Sequence, residues 1–150
     1  LRPLLTIGYE AATFDAVAAE LRAADVSLLI DVRAIAASRR PGFSKTILAA
    51  SLAEHGIGYL HLRPLGTPKA GRDAVRRGDV ATMRRIFAAH MTGDQPQAAL
   101  AEATTRAAGE NACLLCFERD HTTCHRSLVA DMIAAHSAQP VMHLLPAERA

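Results

Sequence analysis

The sequence has no tryptophan and only 4% aromatic residues, two tyrosines and four phenylalanines in 150 positions. That scarcity speaks against a surface built to stack successive bases of a single nucleic-acid strand, which needs several rings in a row. No apolar run approaches the roughly twenty residues of a membrane-crossing helix, and no signal peptide is recognisable, so a soluble, cytoplasmic protein without a membrane partner is expected. Cysteine is sparse as well. Three cysteines, an odd number, argue against a disulfide scaffold and for reduced thiols. Nor does one charge dominate: 17 Lys and Arg against 15 Asp and Glu give a formal net charge of +2, too mild by itself to announce a polyanionic partner.

What is present fits one domain over residues 1–150, since half of the chain is hydrophobic and there is no repeat or low-complexity tail. Apolar runs at "LLTIG", "VSLLIDV", "GYLHL", "NACLLCF" and "PVMHLL" read as strands, the fourth continuously apolar as in a sheet covered on both faces. Between them Phe14, Val17, Ala18 and Leu21, then Ile47, Leu48 and Leu52, then Val80, Met83, Phe87 and Met91, recur at helical spacing. An Ala/Thr-rich run from Pro96 to Ala108 and the set Leu128, Val129, Met132 and Ile133 complete the helices. The alternation predicts an α/β three-layer sandwich with a mainly parallel, about five-stranded sheet. The segment from Arg63 to Asp79, with three glycines, two prolines and five basic residues, reads as a long functional loop.

In such sheets ligands bind beyond the carboxyl ends of the strands, and those ends are polar here. Strand two ends in Asp31 and Arg33 and leads into "SRRPGFSK"; strand four leads into "CFERDHTTCHRS", with two thiols, two imidazoles and two carboxylates. Thr122 and Thr123 are cap-type residues, so the last helix is expected to start near Cys124, where a helix dipole and Arg126 would favour a thiolate nucleophile. A small, half-buried structural cysteine fits the same position. Asp31, Glu118 and His125 are the acid/base candidates beside Cys124, each with an ion pair or core hydrogen bond as its plainer alternative. Arg33, Ser38, Arg39, Lys45, Arg126 and Ser127 form the candidate anion-binding set.

Cys113 and Cys116 form a C-x-x-C pair, but residues three apart on a strand face opposite sides, so they cannot chelate one ion together. A set of Cys116 or His121 with Cys124 and His125 is geometrically allowed, though its spacing follows no standard structural-zinc pattern. No metal ligand is therefore assigned and no cofactor expected, with zinc the minor alternative.

The ordered motifs "TIGYE", "LLIDVRAIAASRRPGFSK", "GIGYLHLRPLGTPK", "HMTG" and "ACLLCFERDHTTCHRSLVAD" resemble the family known as domain of unknown function 488 over nearly the whole chain. The resemblance implies one α/β domain and no established activity. The family's characteristic polar positions fall on Asp31, Arg33, Ser38, Arg39, Lys45, Glu118, Asp120, Cys124, His125 and Arg126. Ala36 replaces a common proline, and Tyr9 with Glu10 replaces His-Ser, which points to a different substrate branch. The combined expectation is an enzyme acting on an anionic, phosphate-bearing substrate such as a nucleotide or nucleic-acid component. Its rival is a non-catalytic nucleic-acid-binding module using Arg39 to Lys45 and Lys69 to Arg77.

Overall fold

The computed structural model describes residues 2–149. Five strands, β1 (Leu4–Gly8), β2 (Leu28–Asp31), β3 (Gly58–His61), β4 (Ala112–Cys116) and β5 (Val141–Leu144), form a single sheet in the order β3-β2-β4-β1-β5. All four pairings are parallel, so the sheet is wholly rather than mainly parallel. β4 sits in the centre with every residue buried, whereas the edge strands β3 and β5 are half exposed. This explains why "ACLLC" is unbroken by polar residues and why "GYLH" and "VMHL" are not.

Side-chain alternation along the strands sorts the core into two layers. Leu5, Ile7, Leu29, Cys113 and Leu115 face α1 (Phe14–Ala23) and α2 (Lys45–Glu54), which bury Val17, Leu21, Leu48 and Leu52 against them. Leu4, Leu28, Ile30, Leu114 and Cys116 face the other layer. That layer contains α3 (Lys69–Arg76), α4 (Val80–His90), α5 (Asp94–Gly109) and α6 (His125–Ser137). Cys113 and Cys116 thus lie on opposite sides of the sheet, as their spacing requires. Ile47, read as part of the buried face of α2, is 57% exposed; Leu48 and Leu52 suffice to seat that helix.

The segment between Arg63 and Asp79 is not the long loop expected from its glycines and prolines: a 3-10 turn (Arg63–Leu65) leads into α3. Its buried residues are Gly71 and Ala74, too small to mark a hydrophobic period. A Cβ on Gly71 would lie 2.1 Å from Thr67 Cγ2, so the missing side chain is what lets α3 close on the turn before it. On the outer face, Asp73 takes Lys69 at 2.9 Å and Arg76 at 3.1 Å.

The connections set the position of the candidate site. From β2 the chain leaves for α2 on one face; from the adjacent β4 it leaves for α6 on the other. Diverging connections open a crevice at the carboxyl ends of the two strands. Among the described residues, no helix is long and apolar enough to cross a membrane.

Candidate functional site

The crevice between β2 and β4 is bridged from both walls. Val32, just past β2, donates its N–H to the Leu115 carbonyl at 3.1 Å, and its own carbonyl accepts Nε2–H of His125 at 2.8 Å. That bond fixes the imidazole at the first turn of α6 and leaves Nδ1 facing two sulfurs, Cys116 Sγ at 3.7 Å and Cys124 Sγ at 4.0 Å. Cys116 ends β4 and Cys124 is the N-cap of α6, so a strand end and a helix start deliver the two thiols. All three side chains are buried, with exposures of 6%, 1% and 5% for Cys116, Cys124 and His125. Phe87 of α4 packs on the imidazole with ring centroids 5.4 Å apart.

The electrostatics of the cluster are polarised. Burial alone would raise the Cys124 thiol, but hydrogen bonds from Cys116 and His125 and the charges of His125 and Arg126 outweigh it and hold the pKa well below the ordinary thiol value. Cys116 moves the other way, pushed well up by its hydrogen bond to Cys124, by burial, and by the negative charges of Cys124 and Glu118. For His125, burial disfavours the charge, yet Cys124 beside it raises the pKa on balance. Glu118, two residues beyond β4, is pushed up to about 8, first by burial and then by the Cys124 charge. The thiols, the imidazole and this carboxyl therefore form one interacting group. Such a set can deliver a thiolate, exchange a proton, or ligate a soft metal ion.

Arg126 is fully buried one layer below. Its Nε donates to Thr6 Oγ1 at 3.1 Å, and its terminal nitrogens donate to the carbonyls of Glu118 and Arg119. It thereby braces the turn that carries Glu118. Gly8 makes this brace fit, since a Cβ there would stand 1.9 Å from the Glu118 carbonyl oxygen.

Arg33 is likewise internal. Its Nε and one terminal nitrogen hold both carboxylate oxygens of Asp31 at 2.9 and 2.7 Å, and the other donates to Tyr9 Oη at 3.0 Å and the Phe43 carbonyl at 2.8 Å. Burial works against the Arg33 charge, but Asp31 and Tyr9 overcome it and its pKa is raised. Tyr59 Oη completes the shell of Asp31 at 2.5 Å, and His61 Nε2 meets the Arg33 carbonyl at 2.8 Å. Asp31 and Arg33, expected as acid/base and anion binder, are thus placed in a saturated buried ion pair that anchors the following loop.

The remaining expected residues separate in the same way. Ser127 Oγ donates back to the Cys124 carbonyl at 2.9 Å, and Ser38 Oγ accepts the Arg40 amide at 3.1 Å, so both close turns. Asp120 caps the 3-10 turn His121–Thr123 by accepting the Thr122 amide at 2.9 Å. Arg39 and Lys45 are exposed. Arg40 Nε, shielded from solvent, has no hydrogen-bond partner among the described residues.

The structure also brings together His121, weighed above only as an alternative metal ligand, and His143, to which no role was assigned. His121 and His143 stack with ring centroids 3.6 Å apart and planes 4° apart, and Thr6 Oγ1 lies 2.6 Å from His143 Nδ1. They line an open cleft of about 490 Å³ with Glu10, Arg119, Asp120 and Leu145, at the carboxyl ends of β1, β4 and β5. Only parallel pairing of β1 with β5 reveals this neighbourhood, because His121 and His143 are far apart in sequence.

No curated protein and no solved structure matches the chain. The family whose description is "Domain of unknown function DUF488" matches residues 13–133, from the N-cap of α1 to the last buried turn of α6, and includes every residue of the thiol and imidazole cluster. The chain belongs to that family.

Proposed function

We propose that the protein is an enzyme acting on an anionic, phosphate-bearing substrate, such as a nucleotide or nucleic-acid component, at the carboxyl edge of the sheet. The carrying observation is the convergence of Cys116, Cys124, His125 and Glu118 at the diverging connections of β2 and β4. Cys116, Cys124 and His125 form the reactive centre. Glu118 is half exposed at its rim and moves the proton.

Charge recognition falls to Arg39 and Lys45 with Arg40, on the loop that begins beside Val32; Arg33 and Arg126 hold the scaffold. Arg33 serves recognition indirectly by fixing the Phe43 carbonyl within that loop. The rival nucleic-acid module would use the second basic segment too, but Lys69 and Arg76 are engaged with Asp73 and Arg77 lies 3.8 Å from Asp79. Asp73 and Asp79 therefore offset part of the charge of that segment's four basic residues.

A thermal-shift panel of nucleotides, sugar phosphates, short DNA and short RNA tests this division, because a ligand that binds only the folded state raises Tm by mass action. Wild type is expected to be stabilised by phosphate compounds, and the Arg39→Ala/Lys45→Ala variant to keep its own Tm but lose the response. An equal response in both would remove these residues from recognition. A shift with long nucleic acid alone, steeply weakened by salt, would favour the binding module.

A further inference from the structure

We infer that Cys116, Cys124 and His125 constitute a site for a zinc-class divalent metal ion, with three protein ligands and one position open. This goes beyond the substrate reading and stands or falls separately from it.

The sulfur atoms and Nδ1 all lie within 4.8 Å of one another. In a tetrahedral site with Zn–S of about 2.3 Å and Zn–N of about 2.0 Å, a sulfur and a nitrogen ligand stand roughly 3.5 Å apart. The sulfurs here are 3.7 and 4.0 Å from Nδ1, so each sulfur-to-nitrogen separation is within a few tenths of an ångström of that value. These separations place the three donor atoms around a common centre.

The surroundings fit as well. A metal-ligating imidazole characteristically donates its other N–H to a carbonyl or carboxylate, fixing the tautomer. His125 Nε2–H is committed to the Val32 carbonyl at 2.8 Å, so Nδ1 is the atom free to ligate. Two thiolates balance the charge of one divalent ion, and the soft sulfur set selects zinc over magnesium or calcium. Three protein ligands with a vacancy is the pattern of catalytic rather than structural zinc. Cys113, buried on the opposite face of the sheet, takes no part.

The test is metal analysis of the full chain purified without chelator, followed by replacement with cobalt(II). Wild type and Cys113→Ser are expected to retain about one zinc per chain, and Cys116→Ser and Cys124→Ser to lose it. The cobalt form is expected to show thiolate-to-metal charge transfer and the intense d–d absorption of tetrahedral coordination. This spectrum is read on the wild-type chain, so it decides the matter even where a cysteine variant fails to fold. A folded wild-type protein that takes up no zinc on supplementation, and gives no charge-transfer band with cobalt, would overturn the site. A Cys116 to Cys124 disulfide in freshly purified protein would overturn it too. Phosphate-induced thermal shifts persisting in such metal-free protein would leave the substrate reading intact while this one fails.

Discussion

At the scale of single residues, the buried arginines stand out: Arg33 is engaged with Asp31, and Arg126 with Thr6 and the Glu118 turn. Asp31 is fully buried, and its carboxylate is balanced by Arg33 and supplemented by Tyr59. Removing one partner of such a pair strands a buried charge. Arg33→Ala is therefore expected to cost about 3–5 kcal/mol of folding stability. Tyr59→Phe, which leaves the ion pair in place, is expected to cost about 1–2 kcal/mol. Urea denaturation of the two variants measures both. A near-neutral Arg33→Ala would return that guanidinium to the ligand-binding set. Sequence alone could not make this distinction: an arginine after a parallel strand has the same neighbours in the chain whether it points at a ligand or at the carboxylate two residues back. Cys124 and His125 were legible because cap-type threonines located the start of α6. That Cys116 rather than His121 joins them was not, since the sequence leaves both open until β4 and α6 are placed.

At the scale of elements, strands were readable because burial on both faces demands unbroken apolar runs, and α4 because Met83 and Phe87 are large enough to mark a period. The helix α3 was hidden by its buried glycine and alanine, and its charged residues looked like loop. Edge strand β5 brings His143 against His121, and this pairing has a pH signature. Burial first, then the charges of His121 and Arg126, depress the His143 pKa, with Asp131 opposing weakly. The unfolded chain then binds the proton more readily than the folded one, so the stability is complete above the ordinary histidine pKa of about 6.5 and is lost as pH falls through the lower folded value. His143→Gln is expected to flatten the stability profile between about pH 7 and pH 5, read from urea midpoints at each pH. An unchanged slope would show that His143 contributes nothing to this pH dependence.

At the scale of the whole molecule, the topology places the chemistry. The reversal of direction after β3 puts the exits of β2 and β4 on opposite faces, and Cys116, Cys124 and Glu118, each with a shifted pKa, gather where those exits part. The exposed basic loop rises from the same edge, and the Asp31–Arg33 pair and buried Arg126 hold its base and the Glu118 turn in place. A scaffold this committed to one edge is expected to carry out a reaction there. The most direct measurement is product formation, followed by mass spectrometry, from a panel of nucleotides, sugar phosphates and oligonucleotides, with wild type and Glu118→Gln side by side. The account predicts turnover by wild type and a loss of about 10²–10⁴-fold in the folded Glu118→Gln protein, the usual contribution of a positioned proton-transfer group. Equal turnover by both proteins, or binding without any product from either, would contradict it.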